Sequence, residues 1–281
     1  MSINPVTRLA SLASVVCAGW LALAYGQVAG QWAQGAPMPS ARTEVAVAAV
    51  NHKVYVVGGF GLWRHTEIYD PRADRWHHGA PIPRAVHHAS AVGLGGKLFV
   101  IGGYAGGWTP VDWVFEYDPV ADDWRSRARL PTARGALIAV VLNGRIHAIG
   151  GVGENRRNTA AHEVYDQATD KWSRLAPLPT PRDHLAAGVL GNRIHVVGGR
   201  IDGSYARNLA VNEAYDPTTD RWSALAPMPT ARSGIAAAVL KGKLLVFGGE
   251  APSGTFDTVE AYDPRANSWT EFLPMPTARH G

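Results

Sequence analysis

Cysteine is almost missing from this chain of 281 residues: Cys17 stands alone. A single thiol excludes an intramolecular disulfide and a cysteine cage for a metal. Charge is also scarce. Asp, Glu, Lys and Arg make up 18% of the residues, the net charge is only +4, and no basic run or stripe occurs. Nothing is therefore gathered to neutralise a phosphate backbone, and nucleic acid is not an expected partner. The sequence also lacks a nucleophile elbow, a phosphate loop and a dinucleotide fingerprint. No cofactor, metal ion or catalytic residue is assigned from motifs. What the chain does have is apolar content, 46%, enough to bury a large core.

The N-terminal stretch places one cation, Arg8, before an apolar run from Leu9 to Ala24, followed by small residues at Ala24, Gly26 and Gly30. This pattern reads as an export signal over residues 1–26, with cleavage as late as residue 30, and a mature domain over 31–281 destined for the periplasm or the exterior. The competing reading is an uncleaved anchor. The run falls short of the ~20 residues that span a bilayer unless residues 26–30 extend it. A lipoprotein signal is disfavoured because Val16 precedes Cys17. After cleavage the domain would hold no cysteine, and the loss of Arg8 would take the charge from +4 to +3.

From Trp32 onward one phrase recurs. Glycine pairs begin at Gly58, Gly102, Gly150, Gly198 and Gly248, Tyr-Asp pairs at Tyr69, Tyr117, Tyr165, Tyr215 and Tyr262, and tryptophan follows at Trp76, Trp124, Trp172, Trp222 and Trp269. The step from tyrosine to tryptophan is always 7 and that from tryptophan to the next glycine pair always 26, whereas the step from glycine to tyrosine runs 11, 15, 15, 17 and 14. All variation in length lies in one segment of the unit. Each unit divides into four strands: a small apolar first strand, a two-residue turn such as Asn143-Gly144, a continuous apolar second strand ending in the glycine pair, a third ending in Tyr-Asp, and a fourth bearing the tryptophan. Sheets that are apolar on both faces must stack on one another, and stacking them around an axis gives a β-propeller. The glycine pair is expected to let an aromatic ring of the neighbouring blade lie on bare backbone.

Diglycine, Tyr-Asp and tryptophan at a period of 44 to 50 residues resemble the kelch repeat. The resemblance implies an all-β propeller of five complete four-stranded blades, with partial sixth-blade strands at both termini. Trp32 keeps the phase of a fourth strand, and "PMPTARHG" begins another unit. Two outcomes stay open: five blades close and the outer pieces are tails, or a sixth blade is incomplete, in which case its open edge favours self-association.

Internal comparison adds a pairing. Arginine stands 16 residues before the glycine pair at Arg42, Arg134, Arg182 and Arg232, and glutamate two before the tyrosine at Glu67, Glu163, Glu213 and Glu260. The second unit lacks both and has Val86 and Phe115 instead. Loss of the two together predicts buried ion pairs that serve the scaffold.

Strand parity puts the variable segments and the start of each first strand on one face and the tight turns on the other. Ligand contacts are expected on the variable face. The candidates at the mouths of the first strands are Glu44, His87, His88, Asp183 and His184; those in the variable segments are Trp63, Arg64, Trp108, Arg156, Arg157, Tyr205 and Arg207. Imidazoles and carboxylates suit polar recognition or proton transfer, and Trp and Arg dominate binding when desolvated. Kelch proteins are mostly binding modules, which implies a protein or carbohydrate ligand here. The family also includes galactose oxidase-like copper enzymes, whose cysteine this mature chain would lack, and exported N-acetylneuraminate epimerases, which leave a sugar epimerase as the alternative.

Overall fold

A computed structural model describes residues 31–281 apart from Leu62 and Trp63. The proposed export signal and Trp63 thus lie outside the described residues. The described chain forms five four-stranded antiparallel meanders. The first is built from Ala46–Val50, Lys53–Val57, Thr66–Asp70 and Arg75–Gly79, and the fifth from Ala236–Leu240, Lys243–Phe247, Val259–Asp263 and Ser268–Phe272. The strand order within every blade is sequential, as the repeat predicts, and no helix occurs among the described residues. The hairpins joining first and second strands have positive φ at both turn residues, as in Asn51 (49°) and His52 (63°) or Asn143 (51°) and Gly144 (72°). That is the twist a two-residue hairpin requires.

First strands line the axis, where only small residues fit. A Cβ on Gly93 would lie 2.6 Å from the carbonyl oxygen of Ala49 in the neighbouring blade. The reason for the glycine pair differs from the one expected. Its neighbours are backbone and aliphatic side chains of the next blade and no aromatic ring: a Cβ on Gly198 would come 2.6 Å from Ile235 Cδ1 and 2.8 Å from the Arg232 carbonyl oxygen, and the N–H of Gly199 donates to that same oxygen at 3.0 Å. The contact repeats at every blade junction, with Gly59 to Val86, Gly103 to Arg134, Gly151 to Arg182 and Gly249 to Arg279. Both glycines of each pair have positive φ, so a side chain would be both strained and obstructed.

A second stitch lies at the outer rim. The Trp222 indole N–H donates to the carbonyl of Ala176 (2.9 Å), while Asp220 accepts from the N–H of Ala176 (2.9 Å) and from the Tyr215 hydroxyl (2.8 Å). Tyrosine, the acidic turn residue and tryptophan thereby clamp the segment that enters each blade, which accounts for the fixed step of seven. In the fifth blade Asn267 takes the place of the aspartate.

At the axis the backbone closes a ring of six. His88 N–H donates to Glu44 O, Ala136 to His88, His184 to Ala136, Gly234 to His184, Gly281 to Gly234 and Glu44 to Gly281, all at 2.9 to 3.2 Å. All six residues are left-handed, with φ from 51° to 73°. Five stations come from the blades and the sixth from the last residue. The outer pieces are therefore not loose tails. Gly281 completes the hub, and the Trp32 indole donates to Leu273 O at 3.3 Å, its ring edge-on to Phe247. The sector between blades five and one contains these pieces and leaves Val47 and Leu240 exposed.

The predicted ion pairs form within each unit: Arg42–Glu67 (2.7 Å), Arg134–Glu163 (2.5 Å), Arg182–Glu213 (2.5 Å) and Arg232–Glu260 (2.9 Å), with side chains nearly or wholly buried. Val86 and Phe115 are both buried in the apolar core of blade two.

Candidate functional site

The hub ring decides which side chains meet. On the loop face, where the variable segments begin, the residue before each station pairs with the residue after the glycine pair: His87 with Tyr104, Gly135 with Val152, Asp183 with Arg200 and Ser233 with Glu250. Strand starts and variable segments thus share one face, as parity requires. The stations Glu44, His88 and His184 line a cavity of about 720 Å³ that runs along the first strands and opens into the sector between blades five and one, where Val47, Phe247, Met275, Arg279 and His280 also line it.

Their partners form two linked networks. Glu44 Oε2 lies 3.2 Å from His88 Nε2, His88 Nδ1 lies 2.6 Å from His87 Nδ1, and His87 Nε2 lies 2.6 Å from the carbonyl oxygen of Gly107. In the second network His184 Nδ1 is 2.5 Å from Asp183 Oδ1 and its Nε2 is 2.9 Å from Arg200 Nη2. Arg200 also bonds Asp183 (3.2 Å) and Glu250 (2.5 Å), and its guanidinium lies 4.4 Å above the Tyr205 ring. His280 Nδ1 approaches Glu250 (3.3 Å) and Glu44 (3.8 Å).

Burial dominates the electrostatics. It pushes the His88 imidazole down to about 2, with the neighbouring His184 and His87 rings and the Arg200 guanidinium acting in the same direction, and it lowers His87 as well. The same desolvation raises the Glu44 carboxyl above the ordinary carboxylate range. Burial would raise Asp183 too, but hydrogen bonds from His184, Asn158 and the Gly203 N–H outweigh it and keep that carboxylate below its usual value. The Tyr104 phenol is raised, first by burial and then by Asp183. Around His88 the rings of Phe60, His87, Tyr104 and Trp108 form a wall, with ring centroids 4.8 to 5.6 Å from it, and the Trp108 side of that wall is 55% exposed.

Glu44, His88 and His184 also bring ligand atoms within 4.8 Å of one another, a spacing a metal ion could use. Arg200 argues against that use. A guanidinium can only donate, so its approach to His184 Nε2 occupies the lone pair a metal would need and sets a fixed positive charge beside the site.

The remaining candidates are dispersed. His87 and Asp183 are buried behind the two histidines that face the cavity. Arg64 donates to Ile82 O (2.8 Å), which makes it part of the clamp on the next blade. Arg156 is exposed, while Arg157 and Arg207 reach Asp202 at the rim, at 3.6 and 3.4 Å. Arg200, Glu250 and His280 escaped the sequence assignment. A signal existed for the first two: the position after the glycine pair reads Phe60, Tyr104, Val152, Arg200 and Glu250, opposite charges in adjacent units at a position that always faces the hub.

A family model described as Kelch motif matches residues 41–83, 85–131, 139–179, 181–229 and 231–276. No curated protein matches the chain. The solved structure described as "Structure of YjhT" superposes with a TM-score of 0.77 over 88% of this chain and 87% of that one, at 17% sequence identity. A likeness at that identity concerns the fold alone.

Proposed function

This chain belongs to the kelch-motif family of repeat proteins, and on that premise we propose that it is an exported binding module that takes a carbohydrate in the cavity at the hub of its loop face. The main support is the backbone of the hub. Four of the six stations, Glu44, His88, Ala136 and His184, hold left-handed conformations that cost a residue with a Cβ ~1–2 kcal/mol each, whereas Gly234 and Gly281 occupy equivalent stations without that strain. The ring itself demands this conformation, as Ala136 shows, and at three of the four strained stations the side chain it aims at the cavity is polar, a placement that suits a binding site.

The chemistry suits a hydroxyl-rich ligand. Imidazole and carboxyl groups read hydroxyls, and the exposed rings of Trp108 and Tyr205 offer flat faces to sugar C–H bonds. A cavity of about 720 Å³ falls in the range of small-molecule sites, roughly 300–1,000 Å³, and favours a sugar over a protein, which would use a broad surface. Export is supported by the sequence of residues 1–26. One observation favours a second reading, a sugar epimerase: a hydrogen-bonded chain able to move a proton ends at Glu44, on the cavity wall.

Calorimetry with galactose, N-acetylglucosamine and N-acetylneuraminate tests the binding reading. At least one sugar is expected to bind, and Trp108→Ala is expected to weaken it about tenfold or more with the melting temperature unchanged. No binding by any of the three, or full affinity in Trp108→Ala, counts against it. Mutarotation of N-acetylneuraminate followed by proton NMR forms the enzyme arm, and an uncatalysed rate removes the epimerase.

A further inference from the structure

We infer that His87, His88 and Glu44 form a proton relay that is neutral at rest and lets the Glu44 carboxyl act as a base toward a bound ligand. The relay deepens the carbohydrate reading by giving that cavity a general base, but its resting protonation belongs to the free protein and is tested without any sugar.

Donor and acceptor logic fixes the pattern from the Gly107 end. A carbonyl oxygen only accepts, so the His87 nitrogen 2.6 Å from Gly107 O, Nε2, carries a hydrogen. His87 is neutral, because burial lowers its basicity, and its Nδ1 therefore presents a lone pair. The Nδ1 of His88, 2.6 Å away, must supply the hydrogen between them. His88 is held neutral far more strongly, which leaves its Nε2 as a lone pair directed at Glu44 Oε2, 3.2 Å away. Two lone pairs facing each other would repel; a hydrogen on Oε2 removes the conflict. Glu44 is thus a carboxylic acid, the direction in which its own burial pushes it. Of the charged and titratable groups facing this pair, Glu250 disfavours a second carboxylate beside it, whereas His184, His280 and Arg200 favour an ionised Glu44; burial outweighs those three, and Arg200 is itself engaged by Asp183 and Glu250.

The chain moves one proton in three balanced steps. A ligand hydroxyl gives its proton to Glu44 Oε1 and becomes an oxyanion. The Oε2 proton passes to His88 Nε2, and the His88 Nδ1 proton passes to His87 Nδ1. Glu44 and His88 end neutral, and the positive charge rests on a His87 imidazolium whose Nε2–H still donates to Gly107 O. The low basicity of buried His87 makes this storage brief, and the reverse sequence returns the proton. The loop carrying Trp108 thus sets, through the Gly107 carbonyl, the protonation of a carboxyl two side chains away. His87 is a positioning residue in this scheme.

Nitrogen-15 and carbon-13 NMR of the free protein at pH 7 tests the pattern. The expected result is His87 with hydrogen on Nε2, His88 with hydrogen on Nδ1, and the Glu44 carboxyl carbon in its protonated position, titrating above the ordinary carboxylate range. His87→Phe removes the Nδ1 acceptor and frees His88 to donate from Nε2, so the Glu44 midpoint should fall by about one pH unit or more. Glu44→Gln, whose amide N–H replaces the acid proton, should leave the His88 tautomer unchanged. Hydrogen on His88 Nε2 in the wild type, or an ordinary Glu44 titration, overturns the inference. So does an unmoved Glu44 midpoint in His87→Phe. If that variant fails to fold, the wild-type tautomers and the Glu44→Gln spectrum decide. A failure of every sugar to bind would leave these spectra untouched and would bear only on the ligand.

Discussion

Glu213→Ala is expected to destabilise the protein by ~3–5 kcal/mol, and so is Arg182→Ala, whereas Arg182→Val combined with Glu213→Phe should cost less than either single change. The Arg182 and Glu213 side chains meet at 2.5 Å with 0% and 6% exposure. The guanidinium also donates to the carbonyls of Gly198, Thr180 and Val196, and the Thr180 hydroxyl donates to Glu213. Removing the carboxylate leaves an uncompensated cation and a donor hydroxyl buried within the blade. Removing both charges restores neutrality, and blade two demonstrates the result with Val86 and Phe115 packed in its core. Urea unfolding of the four proteins in the cycle measures the coupling. Additive losses from the two single changes would mean that the charges act independently and that the blade-two substitution has another cause.

Acidification from pH 7 to pH 5 is expected to remove several kcal/mol of stability, well before most carboxylates titrate. Buried imidazoles are responsible. Desolvation lowers His147 to about 3 and His162 and His195 to about 4, alongside His88 at about 2. His147 and His162 share one hydrogen bond (2.9 Å), and His162 Nδ1 donates to Ala176 O (3.1 Å), so His162 Nε2 accepts and both rings are neutral. Each of these groups has a folded pKa below its unfolded value of ~6.5, so the unfolded chain binds more protons. Stability is complete above that value and falls as pH drops, by about 1.4 kcal/mol per histidine for each pH unit, until the folded pKa is reached. The window is therefore ~6.5 down to about 4, continuing lower for His147 and His88. Glu44, whose pKa is raised, acts in the opposite sense and offsets part of the loss. Urea midpoints at pH 7 and pH 5 check the prediction, and equal midpoints would mean that these rings are hydrated.

Most of the architecture could be read from the sequence because it is written in spacings. The fixed step from Tyr215 to Trp222 is the clamp on Ala176, and the absence of Arg and Glu from one blade exposed the pairing in the other four. The loop face followed from strand parity, which is why Glu44, His88 and His184 were identified as neighbours. Three features depend on angles that spacing does not encode. The glycine pairs looked like beds for aromatic rings but are close approaches to the next blade's carbonyls. The hub has six stations although the chain has five full repeats, because Gly281 reaches the ring. Residue type points to Arg64, which the clamp on Ile82 engages, whereas Arg200, directly after the glycine pair of the fourth unit, is the arginine that holds His184, Asp183 and Glu250. The direction of the histidine chain depends on the Gly107 carbonyl, which no side-chain pattern announces.

The most direct test of the account is to map where a sugar sits on the protein. Amide spectra of labelled protein titrated with N-acetylneuraminate and with galactose are expected to shift at Glu44, His88, Ala136, His184 and Gly234 and at the Trp108 indole, while the turns at Asn51-His52 and Asn143-Gly144 stay fixed. Shifts centred on those turns, or on the outer strands with the hub silent, would contradict it.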